Sequence, residues 1–130
     1  MKVYLAVPLV SNRSIERTRI MAKAITNSGH EVASPWNLSP MEASTRSAVN
    51  IFERDRAGSE AADVMVADVT DPSTGVGMEI MAAYKAGRRI ILVSKRGKRV
   101  STMLEDMDGK EKIEYTNESE IYDGLVRALR

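Results

Sequence analysis

Short runs of apolar residues alternate along the chain with longer stretches whose apolar positions recur every three or four residues. Lys2 to Val7 reads as a first strand, closed by Pro8. From Ser14 to Ser28, the residues Ile15, Ile20, Ala24 and Ile25 fall near helical spacing, with Gly29 as the stop. Glu31 to Ser34 is a short second strand that Pro35 ends. Thr45 to Ala62 carries a long, strongly charged helical pattern, and Asp63 to Val69 is the clearest strand. Gly75 to Ala86 reads as a helix closed by Gly87. Arg89 to Ser94 is a fourth strand, apolar on consecutive positions as when both faces of a sheet are covered. Val100 to Met107 is a short helix, Lys112 to Tyr115 a last strand, and Glu118 to Leu129 a closing helix.

Strands separated by helices call for a parallel sheet with right-handed crossovers. Five such units in a chain of 130 residues predict an α/β fold of the flavodoxin or Rossmann-like kind. The expected sheet is five-stranded, parallel and doubly wound, in the order 2-1-3-4-5, with helices on both faces. No repeat, low-complexity tract or linker interrupts the pattern, so residues 1–130 are expected to form one domain. Ligands in such folds bind beyond the carboxyl ends of the strands. The search therefore narrows to residues 8–13, 35–44, 68–79 and 94–101.

Composition sharpens this by exclusion. The chain is 43% apolar and 28% charged, and a domain of this length buries roughly two-thirds of its unfolded surface without a disulfide or metal staple. It has no cysteine, which removes thiol catalysis and thiolate metal sites, and one histidine, His30, which disfavours a histidine-based metal site. No metal and no cofactor is expected. A net charge of +1 gives no footprint for nucleic acid. No stretch approaches a membrane span, and the N-terminus has no leader pattern, so the expected location is cytoplasmic. Any chemistry falls to carboxylates, hydroxyls, guanidinium groups or backbone amides.

The stretch Asp68-Val69-Thr70-Asp71-Pro72-Ser73-Thr74-Gly75-Val76-Gly77-Met78-Glu79 is the most informative. It leaves a strand, turns at a proline and opens a helix through two glycines. Ser73 and Thr74 suit helix capping, while Gly75 and Gly77 let a ligand approach the backbone. A helix N-terminus of this kind attracts anions. On a helical wheel Val76, Ile80, Ala83 and Gly87 form one apolar stripe, with Glu79 about 60° off its axis at the edge of the buried face. The helix dipole is expected to keep Glu79 ionised, as a nucleophile or base. The glycines lack the third member of a dinucleotide fingerprint, since position 80 is Ile80, and no P-loop motif occurs. Asp68 stands where receiver domains carry their acceptor aspartate, but their acidic pair after the first strand is replaced by Val7-Pro8-Leu9.

Three segments together resemble the nucleoside 2-deoxyribosyltransferase superfamily, most closely its 2'-deoxynucleoside 5'-monophosphate N-glycosidase branch. They are Ile51-Phe52-Glu53-Arg54-Asp55, Ala62-Asp63-Val64-Met65-Val66-Ala67-Asp68-Val69-Thr70 and Pro72-Ser73-Thr74-Gly75-Val76-Gly77-Met78-Glu79, with a weaker match at Arg99-Val100-Ser101-Thr102-Met103. The resemblance implies a retaining cleavage of an N-glycosidic bond, with Glu79 attacking C1' of the deoxyribose. It implies that Tyr4 orients that carboxylate and that Asp55 helps protonate the departing base. The implied substrate is a small nucleotide.

Where deoxyribosyltransferases carry an aspartate six residues before the nucleophile, this chain has Ser73. The resemblance makes Ser73 a 5'-phosphate ligand, joined by Ser101 from a neighbouring subunit, and so implies a homodimer with a shared site. The hydrolases' Gly-Ser-Ile-Arg-like turn after the first strand is absent, which leaves Arg13 or Ser11 as the substitute. Trp36, the only tryptophan, is a candidate for stacking on a base. Residues 88–99 hold six basic residues and no acid, whereas residues 105–123 hold eight acids. Solvated, mutually paired faces are the plain reading, and a basic rim to a phosphate site the sharper one. Met78, Met81, Met103 and Met107 are expected in the core or a subunit interface. The other functions open to this chain are base exchange on free deoxynucleosides and non-catalytic nucleotide sensing.

Overall fold

The computed structural model describes residues 1–9, 14–38 and 50–130. Its elements are β1 (Lys2–Ala6), α1 (Ile15–Asn27), β2 (Glu31–Val32), a 3-10 turn (Pro35–Leu38), α2 (Ile51–Ala61) and β3 (Val64–Asp68). They continue with α3 (Thr74–Lys85), β4 (Arg89–Lys95), α4 (Thr102–Asp106), β5 (Glu111–Tyr115) and α5 (Glu118–Ala128). All four strand pairings are parallel, in the expected order β2-β1-β3-β4-β5. The register sets Val3 beside Val64, Ala67 beside Leu92 and Val93 beside Ile113.

Strand side chains alternate between two cores, because successive Cβ atoms leave opposite faces of a sheet. Val3, Leu5, Val64, Val66, Ile91 and Val93 join Met21 and Ile25 of α1 and Ile121 and Leu125 of α5 on one face. Tyr4, Ala6, Met65, Ala67, Ile90 and Leu92 join Val76, Ile80 and Ala83 of α3 on the other. Tyr4 therefore enters the second core because it is an even-numbered residue of β1.

Element ends follow local chemistry. Gly29 and Gly87 adopt φ of 85° and 75°, which lets the chain leave α1 and α3 in the left-handed region. Ser73 caps α3, its Oγ accepting from the Val76 amide at 3.3 Å. The expected helix over Thr45 to Ala62 is shorter in its described part. Asn50 is extended and its side chain accepts from the Glu53 amide at 3.0 Å, so α2 begins at Ile51. Residues 45–49 lie outside the described residues. The second strand is also shorter than expected, because the Ser34 hydroxyl replaces the backbone ladder. It accepts from the Leu5 amide at 2.9 Å and donates to the Leu5 carbonyl at 3.0 Å. No helix among the described residues is long and apolar enough to cross a membrane.

Candidate active site

The site is assembled from three elements around one carboxyl group. Glu79 is the sixth residue of α3, and the cap at Ser73 fixes the phase that turns it inward with Val76, Ile80 and Ala83. Tyr4 arrives from β1 and is fully buried, and its hydroxyl donates to Glu79 Oε2. The partners are 75 residues apart in sequence. Only 9% of Glu79 is exposed, and this burial pushes its carboxyl up to about 8. The hydrogen bond from Tyr4 and the charge of Arg54 favour the ionised form, whereas the charge of Asp55 opposes it. The helix dipole was expected to keep Glu79 ionised. That influence fades beyond the first turn, and desolvation outweighs it at the sixth residue. Burial, followed by the neighbouring Glu79 charge, raises the Tyr4 hydroxyl far above its usual range, so Tyr4 remains a proton donor.

Helix α2 closes the site from the side. Arg54 Nε donates to Asp55 Oδ1 at 2.9 Å, and both side chains are largely buried. The Arg54 guanidinium lies 4.7 Å from the Trp36 ring centroid and so takes one face of that ring. Trp36 in turn meets Tyr4 edge-on, with centroids 6.3 Å apart. Gly58, one turn after Arg54, is where the helix touches the Tyr4 ring. A Cβ there would stand 2.8 Å from Tyr4 Cε2. Asn37 of the 3-10 turn donates to the Leu5 carbonyl at 2.9 Å and lies close enough to Tyr4 to favour its ionised form.

The structure thus brings Tyr4, Glu79, Asp55 and Trp36 together. Arg54, Gly58 and Asn37 were not singled out. The i, i+4 spacing of Arg54 and Gly58 beside Asp55 was the available signal for the first two, since it puts them on one helix face. Nothing in the sequence marks Asn37.

The expected phosphate ligands sit elsewhere. Ser73, Gly77 and Ser101 border an open groove of about 1010 Å³ between the start of α3 and the start of α4, with Arg99 on its rim. Ser101 precedes α4 and makes no side-chain cap, which leaves its hydroxyl available. Gly75 is exposed in the first turn of α3, with nothing within 4 Å of a Cβ placed on it. Arg13 and Ser11 lie outside the described residues. Half of the basic stripe is ion-paired: Arg89 with Glu111, Arg96 with Glu114 and Lys98 with Asp71. Asp68 is a structural tie, buried between Arg17 Nε at 3.1 Å and the Thr70 amide at 3.0 Å.

The sequence model of one family, described as nucleoside 2-deoxyribosyltransferase, matches residues 3–120, a span that carries Tyr4, Asp55 and Glu79. The chain belongs to this family. It is therefore an enzyme of the N-glycosidase or deoxyribosyltransferase kind. It is 32% identical over 109 residues to a Methanococcoides burtonii protein provisionally named 2'-deoxynucleoside 5'-phosphate N-hydrolase 1, covering 80% of this chain and 88% of that one. A Thermofilum pendens protein with the same provisional name is 33% identical over 107 residues, covering 74% of this chain and 69% of that one. Among solved structures, a CMP N-glycosidase from Clostridium botulinum superposes with a TM-score of 0.72 at 19% identity, over 98% of this chain and 99% of that chain. A 2-deoxyribosyltransferase from Bacillus psychrosaccharolyticus does so with a TM-score of 0.70 at 20% identity, over 99% and 96% of the two chains. These two likenesses establish that the family's sheet and helices are those of this chain.

Proposed function

We propose that this member of the family hydrolyses the N-glycosidic bond of 2'-deoxynucleoside 5'-monophosphates, releasing the free base and 2-deoxyribose 5-phosphate. The observation that carries the proposal is the buried Glu79 carboxyl, held by the Tyr4 hydroxyl with Asp55 beside it. Ionised Glu79 attacks C1' as the bond from C1' to the base nitrogen breaks, forming a glycosyl ester. Tyr4 orients the attacking oxygen, and Asp55, ionised beside Arg54, holds a water that passes a solvent proton to the departing base, a proton returned to solvent when water cleaves the ester. Water then cleaves the ester and restores the Glu79 carboxylate, so one water is consumed per substrate.

The 5'-phosphate is assigned to the groove at the start of α3. Ser73 uses its oxygen as the helix cap, yet its hydroxyl proton is free to donate. A neutral hydroxyl at a helix N-terminus accepts an anion that an aspartate there would repel. The names of the Methanococcoides burtonii and Thermofilum pendens relatives support this substrate class. We further propose that the enzyme is a homodimer, a second copy covering Met78, Met81 and Met103 beside the groove that Ser73 and Ser101 of one chain already share.

Base release is tested by incubating the protein with the four deoxynucleoside monophosphates, and separately with free deoxynucleosides plus an acceptor base. Release from the monophosphates is expected, with its loss in Glu79→Gln and a raised KM in Ser73→Asp. Base exchange confined to unphosphorylated nucleosides would overturn the hydrolase reading in favour of a transferase.

A further inference from the structure

We propose that Arg54 is a positioning residue of this site, fixing a cation at the edge of the buried Glu79 so that the carboxyl can carry charge. The inference rests on Glu79 as the reacting group. Its geometry is a chain of contacts from α2 to α3. Arg54 Nε is held by Asp55 Oδ1 at 2.9 Å, and its guanidinium plane is fixed over Trp36 at 4.7 Å. Trp36 abuts Tyr4, and Tyr4 donates to Glu79. A flexible cation would lose this placement, whereas a planar fork clamped on two sides keeps it.

The charged and titratable groups that act on Glu79, among the described residues, are Tyr4 from β1 and Arg54 and Asp55 from α2. The 3-10 turn contributes neutral Trp36 and Asn37, and α3 adds none of its own. Among the described residues, Arg54 is thus the single cation acting on a carboxyl that both burial and Asp55 drive toward protonation. Removing it acts twice in the same direction: the attraction disappears and the repulsion from Asp55 is uncovered. In a poorly solvated site these through-space effects are weakly screened.

The test titrates Glu79 directly in the free protein, by the carbon NMR signal of its side-chain carboxyl, assigned through its loss in Glu79→Gln. Arg54→Gln is expected to raise the titration midpoint by about one pH unit, about a tenfold loss of ionised fraction at a fixed pH on the acid side. Arg54→Lys, which keeps the charge, is expected to stay closer to the parent. A midpoint unmoved in Arg54→Gln overturns the proposal. So does an equal shift in Arg54→Lys, which would show that packing on Trp36, and not charge, is what matters. Should Arg54→Gln fail to fold by its tryptophan fluorescence, Arg54→Met, which keeps an unbranched apolar stem against Trp36 and removes the charge, decides: it must raise the midpoint, and no change there also overturns the proposal. The titration needs no turnover, so persistent base release in Glu79→Gln would remove the nucleophile while leaving the Arg54 result readable.

Discussion

In an unfolded chain the Glu79 carboxyl ionises near 4.5, whereas burial in the folded protein holds its proton up to about 8. Between those values the folded state binds a proton that the unfolded state has released. Stability therefore falls as pH rises through that window and levels off above it. At pH 7 the penalty is roughly 3 kcal/mol. Glu79→Gln keeps the shape and an acceptor for Tyr4, so it is expected to raise the urea midpoint at neutral pH while matching the parent near pH 4. An equal difference at both pH values would show that proton linkage is not its source. The same residue makes a second prediction for catalysis. Because the nucleophile must be ionised, kcat/KM of the parent is expected to climb with pH toward about 8 and then flatten. A residue that costs stability while enabling turnover is the usual bargain at a reactive site. The sequence marked Glu79 by its motif and its place on the helical wheel. It did not mark the direction of the carboxyl's shift, because desolvation depends on every group packed around it.

Helix α2 shows how an element can be legible as a helix and illegible as a wall of the site. Its charges and spacing announce a helix, yet it has one fully buried residue, Ser59, and no apolar stripe that points inward. What orients it is the fit of Gly58 against the Tyr4 ring, together with Arg54 on Trp36. The Tyr4 ring is rigid and tied by its hydroxyl to Glu79, so it cannot yield cheaply. Gly58→Ala is expected to cost about 1–3 kcal/mol in urea denaturation and to lower kcat, since either α2 or Tyr4 must shift. Unchanged stability and turnover would mean that α2 moves freely over β1. The expected helix over residues 45–62 is interrupted at Asn50, and a charged helical pattern does not reveal that the Asn50 side chain accepts from the Glu53 amide and starts α2 at Ile51.

Across the whole molecule, parallel pairing of β1 with β3 sets their carboxyl ends side by side, at the point where the winding reverses. The Arg17, Asp71 and Lys98 contacts then fasten the loop before α3 to α1 and to the loop after β4. This holds Ser73 and Ser101 on one groove. Beside it Met78, Met81, Tyr84 and Met103 are exposed, an apolar band of the kind that marks an interface. If the proposed homodimer forms through this band, the parent sediments as a dimer and Met81→Lys combined with Met103→Lys as a monomer in sedimentation equilibrium. A parent mass of one chain, or an unchanged mass in the variant, overturns that placement. The sequence alone determined the element order, the parallel sheet and its two-sided burial, because strand and helix periodicities are local properties of the chain. Its motif also supplied Glu79 as a candidate, and the family resemblance supplied Tyr4 and Asp55. Only the tertiary structure decided that Gly58 makes room for Tyr4, that Arg54 rests on Trp36, and that Glu79 is desolvated rather than dipole-stabilised. Burial and charge act through space, and the groups that set them here come together from segments up to 75 residues apart.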